Sequence, residues 1–328
     1  MKARKLILLV LGTTLVLAIG VPIAPMYAAA PDRVPVNIYA VSHGACAWDS
    51  FWCVVERGMK DAASDLGVQL TLLTTDKFDL EATAQNIDRA VAGKPDALAV
   101  TVTDAVLFQE PIMRAIKAGI PVIAYDSCDI RPKAERLPYV TCVGPKQYEG
   151  GYLGADRLVK KYKGTKGVCI NEQVGHTLAD ERCRGFTDRL AEDNIPSEML
   201  GISDDPAQST TVIGDYYAAN PKTDLFLTLG PNGADPMYAF MDANGLKAGD
   251  IHHGTFDLSP KISERVKDGT TDFAIDGAPY LVGYLPVMWL TMIHRHGLYP
   301  PDDFTATGPA FIDKTNIDLV AAQAGTFR

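Results

Sequence analysis

Residues 94–126 read KPDALAVTVTDAVLFQEPIMRAIKAGIPVIAYD, and this stretch decides the fold class. Ala97 to Val102 is a short apolar run of the kind buried on both faces of a sheet, entered through Lys94 and Pro95. The segment from Gln109 to Ala118 then has helical character, and Pro121 to Tyr125 is a second apolar run. A strand, a helix of that length and another strand make a crossover unit, which sets the two strands parallel.

The same alternation extends in both directions. Upstream, Val34 to Val41 reads as a buried strand. Phe51 to Leu66 reads as a helix with an apolar face at Val54, Val55, Met59 and Ala62. A strand from Gln69 to Thr74 and a helix from Leu80 to Ala92 follow, and a short strand at Tyr139 to Val143 closes this run. The pattern then restarts with a helix from Tyr148 to Lys161 and a strand from Lys166 to Asn171. It continues through helices at Asp180 to Asp193, Thr210 to Asn220 and Asp235 to Asn244, and a strand at Thr271 to Ile275. A helix from Tyr280 to His296, a loop and an apolar segment at Ala310 to Ile312 complete the chain. Two similar α/β lobes are implied, Rossmann-like and with parallel central sheets. About three hundred residues also exceed what one core usually organises.

The first thirty residues have a separate character. Lys2, Arg4 and Lys5 precede an uncharged apolar run from Leu6 to Ala24, and small residues follow at Ala28, Ala29 and Ala30. This is the layout of a cleaved secretory signal peptide over residues 1–30, so export across a membrane is expected. Those residues carry three of the 31 basic side chains and no acidic one, so the remainder has 28 basic against 40 acidic residues, a formal charge of −12. Such a surface repels nucleic acid and anionic lipid. Six cysteines, Cys46, Cys53, Cys128, Cys142, Cys169 and Cys183, follow the leader and read as disulfides. About fifteen connectivities are possible, and sequence proximity favours 46 with 53, 128 with 142 and 169 with 183.

An ordered set of local motifs carries a family resemblance. It includes Asp49-Ser50-Phe51-Trp52, Asp65-Leu66-Gly67-Val68, Lys94-Pro95-Asp96-Ala97 and Ala118 through Asp126. The second lobe adds Glu181-Arg182-Cys183-Arg184-Gly185-Phe186 and Gly254-Thr255-Phe256-Asp257. With these, the chain resembles the periplasmic sugar-binding proteins of ABC transporters, the ribose, xylose and galactose group of the type I periplasmic binding fold. The resemblance implies an N-terminal lobe of residues 31–143 plus 277–305 and a C-terminal lobe of 144–276 plus 306–328. A hinge of three crossings near Gly144, Gly277 and Gly308 would join them, with ligand held between the lobes.

A sugar ring presents apolar faces and a girdle of hydroxyls, so its site needs flat aromatic walls and planar polar groups. The resemblance assigns the wall to Phe51 and Trp52, the strand-end carboxylates to Asp126 and Asp257, and a guanidinium to Arg182. Asp49, Asp276 and, approximately, Asn232 fall on further ligand-binding positions. Ser127 stands where ribose binders carry arginine, and acidic Asp204 replaces an aromatic residue. Several carboxylates around one arginine favour a neutral or amine-bearing monosaccharide, polyol or cyclitol over a phosphate or carboxylate ligand. His43 and His176 read as polar loop residues near the cleft. The expected partners are a membrane ABC permease and, secondarily, a chemoreceptor, with the protein itself a monomer.

Enzymatic patterns are wanting. Gly201-Ile202-Ser203-Asp204-Asp205 breaks the nucleophile elbow at its last position. Neither H-E-x-x-H, a P-loop nor a dinucleotide glycine pattern occurs. His252-His253 ends a strand and His294-x-His296 lies in a helix's last turn, so neither calls for a metal. No catalytic residue and no cofactor is expected. A receptor for a signal molecule of the autoinducer-2 kind, or for a nucleoside, is the alternative binding reading; a secreted carbohydrate-active enzyme is the alternative outside binding.

Overall fold

The computed structural model describes residues 34–328, so the leader read over residues 1–30 lies outside it. The first run comprises β1 (Asn37–Val41), α1 (Ser50–Leu66), β2 (Gln69–Leu73), α2 (Leu80–Ala92), β3 (Ala97–Val100), α3 (Gln109–Lys117), β4 (Val122–Tyr125) and β5 (Cys142–Pro145). The second opens with α4 (Gln147–Tyr162), β6 (Gly167–Asn171), α5 (Thr177–Glu192), β7 (Ser197–Gly201) and α6 (Pro206–Ala219). It continues through β8 (Leu225–Thr228), α7 (Pro231–Ala243), β9 (His252–Phe256), α8 (Pro260–Asp268) and β10 (Phe273–Asp276). Then come α9 (Pro279–His296), β11 (Phe304–Gly308), β12 (Ala310–Asp313) and α10 (Ile317–Val320).

Two six-stranded sheets result, ordered β2-β1-β3-β4-β5-β11 and β7-β6-β8-β9-β10-β12. The strands pair in parallel except for β12, which runs antiparallel to β10. This is the twin-lobed α/β architecture expected from the sequence. Both faces of each sheet are covered, as a parallel sheet requires. In the first, α1 and α9 pack on one face and α2 and α3 on the other. In the second, α4 and α5 oppose α6, α7 and α8.

Helix starts follow from local chemistry. Asp49 accepts a hydrogen bond from Phe51 N at 3.0 Å and Asp79 one from Ala82 N at 2.9 Å, satisfying otherwise unpaired donors at the heads of α1 and α2. Asp205 does the same for Ala207 and Gln208, with Pro206 at the first helical position, so α6 begins four residues before the helix expected from Thr210. In like manner α7 begins at Pro231 rather than Asp235. The loop expected after His296 contains β11, an edge strand beside β5. Its sequence, FTATG, is half-buried and carries no apolar run, so only the pairing with Cys142 to Pro145 reveals it.

Within the described residues the chain passes between the sheets three times: from β5 to α4, from β10 to α9 and from β11 to β12. The crossings lie against one another. Lys146 N donates to Gly308 O at 3.1 Å, and Thr307 Oγ1 donates to Gly277 O at 2.6 Å. A Cβ on Gly308 would stand 2.7 Å from Asp276 O, so glycine serves here for close backbone approach. The left-handed residue at the crossings is Ala278, at φ 51°.

Disulfides Cys46–Cys53, Cys128–Cys142 and Cys169–Cys183 form as proximity favoured. The 46–53 bridge encloses Asp49 to Trp52, Cys128 lies two residues past Asp126, and Cys183, which adjoins Arg182, ties α5 to Cys169 in β6. Helix α5, which carries Arg182, is also set against α4 at close range. A Cβ on Gly151 would fall 1.9 Å from Arg182 O. Gly151→Ala must therefore push α5 off α4, and we expect a loss of about 2 kcal/mol or more of stability in urea unfolding.

Candidate binding cleft

The carboxyl ends of both sheets face a common cavity of about 400 Å³, counted out to its open mouth. The first lobe contributes His43, Asp49, Phe51, Trp52 and Asp126; the second contributes Glu172, Gln173, His176, Arg182, Asp257 and the Leu229–Pro231 turn. The residues Asp49, Phe51, Trp52, Asp126, Arg182 and Asp257 singled out in the sequence thus come together. Asn232 and Asp276 do not join them. Asn232 sits in the first turn of α7 and faces a neighbouring cavity. Asp276 is buried among the crossings, where it accepts from Ala278 N at 2.8 Å and pairs with Arg328.

Asp126 and Asp257 hold equivalent places, one residue past β4 and one past β9. Both have φ 61°, a left-handed conformation that is uncommon for a non-glycine residue, and both are almost fully buried. Asp126 Oδ2 accepts from Ser127 Oγ at 3.1 Å. Asp257 Oδ2 lies 3.7 Å from Arg182, while Oδ1 is buried without a hydrogen-bond partner. Arg182 is held from three sides: Nε donates to Gln147 Oε1 at 2.8 Å, a terminal nitrogen donates to Leu229 O, and the guanidinium rests 4.1 Å over the Phe256 ring.

Phe51 is half-buried and lines the cavity. Trp52 is more deeply set, 2% exposed, and packs edge-on against Phe51 and His43 with centroids 5.3 and 4.9 Å away. Gly44 makes room for it, since a Cβ there would strike the indole. Trp52 is therefore a core residue that shows one edge to the cavity.

His43 and His176 differ from their reading as bland loop residues. Both are about 1% exposed, line the cavity and meet with ring centroids 4.5 Å apart, although they belong to different lobes. Ser127 Oγ lies 2.8 Å from His176 Nε2 and Thr177 Oγ1 donates to Thr103 O at 3.0 Å, so the lobes touch beside the cavity. With Asp126, the two histidines offer ligand atoms within 4.8 Å of one another. Both ring nitrogens of His176 are already engaged, by Ser127 and by Gln173 Oε1 at 2.6 Å, and His43 Nδ1 meets Thr101 Oγ1 at 3.0 Å. The geometry as it stands uses these rings to join the lobes.

Glu172 was missed in the sequence, though it follows the apolar strand β6 directly, as Asp126 follows β4 and Asp257 follows β9. Its Oε2 is buried and unpartnered.

Burial pushes the cleft carboxyls up: Asp49 and Asp126 to about 6, Glu172 to about 7 and Asp257 to about 8, with Arg182 opposing the rise in each. Burial also lowers His43 to about 3 and takes His176 well below its usual range. An acid whose pKa is raised on folding stabilises the fold below its unfolded pKa, and that contribution fades as pH climbs through the folded value. The histidines, lowered on folding, act oppositely, and their effect is complete above about pH 6.5. Between pH 6.5 and 8.5 the carboxyls dominate. The melting temperature of the ligand-free protein should fall across that window, and Asp257→Asn should flatten the fall; a rise would contradict these assignments.

A sequence profile of the periplasmic binding protein domain matches residues 46–296. The chain belongs to the periplasmic binding protein family. Among curated members of that family, the xylose/arabinose-binding protein XylF of Sulfolobus acidocaldarius is 23% identical over 304 residues, covering 89% of this chain and 74% of its own. The fructose import binding protein FruE of Bifidobacterium longum is 24% identical over 230 residues, 68% of this chain and 69% of its own. A carbohydrate transporter protein of Acidothermus cellulolyticus, solved in complex with myo-inositol, superposes with a TM-score of 0.80 at 26% identity, covering 89% of this chain and 99% of that one. The periplasmic sugar-binding protein of a Legionella pneumophila ABC transporter gives 0.77 at 25% identity, over 83% and 99%.

Proposed function

We propose that this protein is a sugar receptor of an ABC importer, binding a neutral or amine-bearing monosaccharide, polyol or cyclitol between its lobes and releasing it unaltered to a membrane permease. The observation that carries the reading is the convergence of Asp126 and Asp257, from opposite lobes, with Arg182 and Phe51 on one cavity. Planar carboxylates accept from hydroxyls, the guanidinium donates to ring or hydroxyl oxygens, and the phenyl ring covers an apolar sugar face. The named ligands of relatives, pentoses, fructose and myo-inositol, are of this chemistry. In this reading residues 1–30 direct export to the periplasm. Ligand that touches both lobes favours the closed arrangement by its differential affinity, and the crossings act as the hinge.

A thermal-shift panel of pentoses, hexoses, polyols, amino sugars, inositols and a nucleoside tests the proposal. One sugar, polyol or cyclitol class should stabilise the protein, by about 2.7 kcal/mol at a hundred times its Kd, and be recovered chemically intact. Stabilisation by the nucleoside alone, or turnover of the bound compound, would overturn it.

A further inference from the structure

The cleft does not end at the cavity just described. A second space, about 680 Å³ when counted out into open solvent, adjoins it, and Glu172 lines both. The first lobe supplies Trp48, from the loop after β1, and Lys77, from the loop after β2. The second supplies Ser203, after β7, together with Asn232 and Pro236 of α7. Strands β2 and β7 are the outermost of their sheets, farthest from the crossings, so this space continues the cleft away from the hinge.

Its lining repeats the chemistry that suits a sugar. Trp48 is half-buried and its Nε1 donates to Thr75 O at 2.9 Å, which holds the indole in place as a flat wall. Pro236 is a second apolar plate, and Asn232 and Lys77 bring an amide and an ammonium. Between the two cavities stands the Glu172 carboxylate, seated over the first turn of α7. A Cβ on Gly230 would approach it to 3.1 Å and one on Gly233 to 2.9 Å, so glycines at both places make room for it. Its Oε2, buried and without a partner among the described residues, is an acceptor waiting at the junction.

We infer that the cleft takes a ligand of two linked units, a disaccharide or a glycosylated polyol, with one unit between Asp126 and Asp257 and the other passing Glu172 to lie against Trp48. The inference rests on the sugar-receptor reading and sharpens its ligand class. Unpartnered Oε2 accepts a hydroxyl near the linkage, and the outer ring stacks on the indole.

Titration calorimetry with matched pairs tests it: D-xylose against xylobiose, D-glucose against melibiose, and myo-inositol against galactinol. For the parent that binds, the glycosylated partner should bind about tenfold tighter or more, the scale of one added aromatic contact and one hydrogen bond. Trp48→Ala should erase most of that gain while leaving the parent's Kd within about twofold. Should Trp48→Ala disturb the Cys46–Cys53 loop, Lys77→Ala on the neighbouring loop should reduce the same gain. Partners that bind no better than their parents, or variants that weaken parent and partner alike, overturn the inference with the receptor reading intact. Binding of no sugar, polyol or cyclitol in the wider thermal-shift panel defeats the receptor reading itself, and the second subsite with it.

Discussion

Arg182→Ala is expected to weaken ligand binding by at least about a hundredfold, the largest single effect in the cleft, while the protein stays folded. The guanidinium opposes the upward drift of Asp49, Asp126, Glu172 and Asp257 together. Its removal takes away a donor to the ligand and also leaves four buried carboxyls without that compensation, so they retain protons and become poorer acceptors. Arg182→Lys should recover little, because a point charge cannot span Gln147, Leu229 and Asp257 as the planar fork does. Calorimetry reads the affinity, and far-ultraviolet circular dichroism with a melting curve reads the fold. Unchanged affinity in Arg182→Ala would remove this residue from the site.

The second large effect concerns Asp257. Its carboxyl is pushed up to about 8 by burial, and Oδ1 has no partner among the described residues. A ligand hydroxyl donated to that oxygen favours the ionised form, so binding releases a proton. Affinity should therefore rise with pH below about 8, by up to about tenfold per unit, and level off above it. Asp257→Ala should weaken binding by about 2 kcal/mol or more at pH 8 and remove the pH dependence between about 7 and 8, leaving only the part that Asp126 and Glu172 contribute at lower pH. Titrations in two buffers of different ionisation enthalpy would count the proton directly. A flat profile in the unaltered protein would mean that the ligand meets Asp257 as the neutral acid, or not at all.

These effects depend on a site that was partly legible in the sequence. The family resemblance assigned Asp126 and Asp257, and both end an apolar strand, from where a side chain points across the carboxyl end of a parallel sheet. The same rule, applied to β6, leads to Glu172, which the motif comparison alone passed over. His43 and His176 could not have been read so. Their role comes from contact between two lobes, and no local pattern encodes the 4.5 Å approach of their rings. Asp276 also ends a strand, but β10 lies beside the crossings, and the residue that meets it, Arg328, is 52 residues away in sequence. Its position in the sheet, invisible to strand periodicity, separates it from Asp257.

The fold was legible for a different reason. Apolar strands alternating with amphipathic helices leave few ways to bury every face, and the restart after Val143 doubles the solution. Errors fell where local signals were overlooked or absent. The Asp205-Pro206 pair marks the start of α6 by its capping chemistry, and Pro231 similarly opens α7. Edge strand β11, in contrast, owes its existence to pairing with β5 across more than 150 residues of chain, as the Cys142–Phe304 register shows.

The central claim is that ligand is gripped between the lobes by Asp126, Asp257 and Arg182. A crystal structure of the protein with whichever sugar, polyol or cyclitol stabilises it most tests that claim directly. Ligand oxygens should lie within about 3.2 Å of both aspartates and the guanidinium, with one ring face toward Phe51. Ligand seated elsewhere, or bound by one lobe with these three side chains untouched, would contradict it.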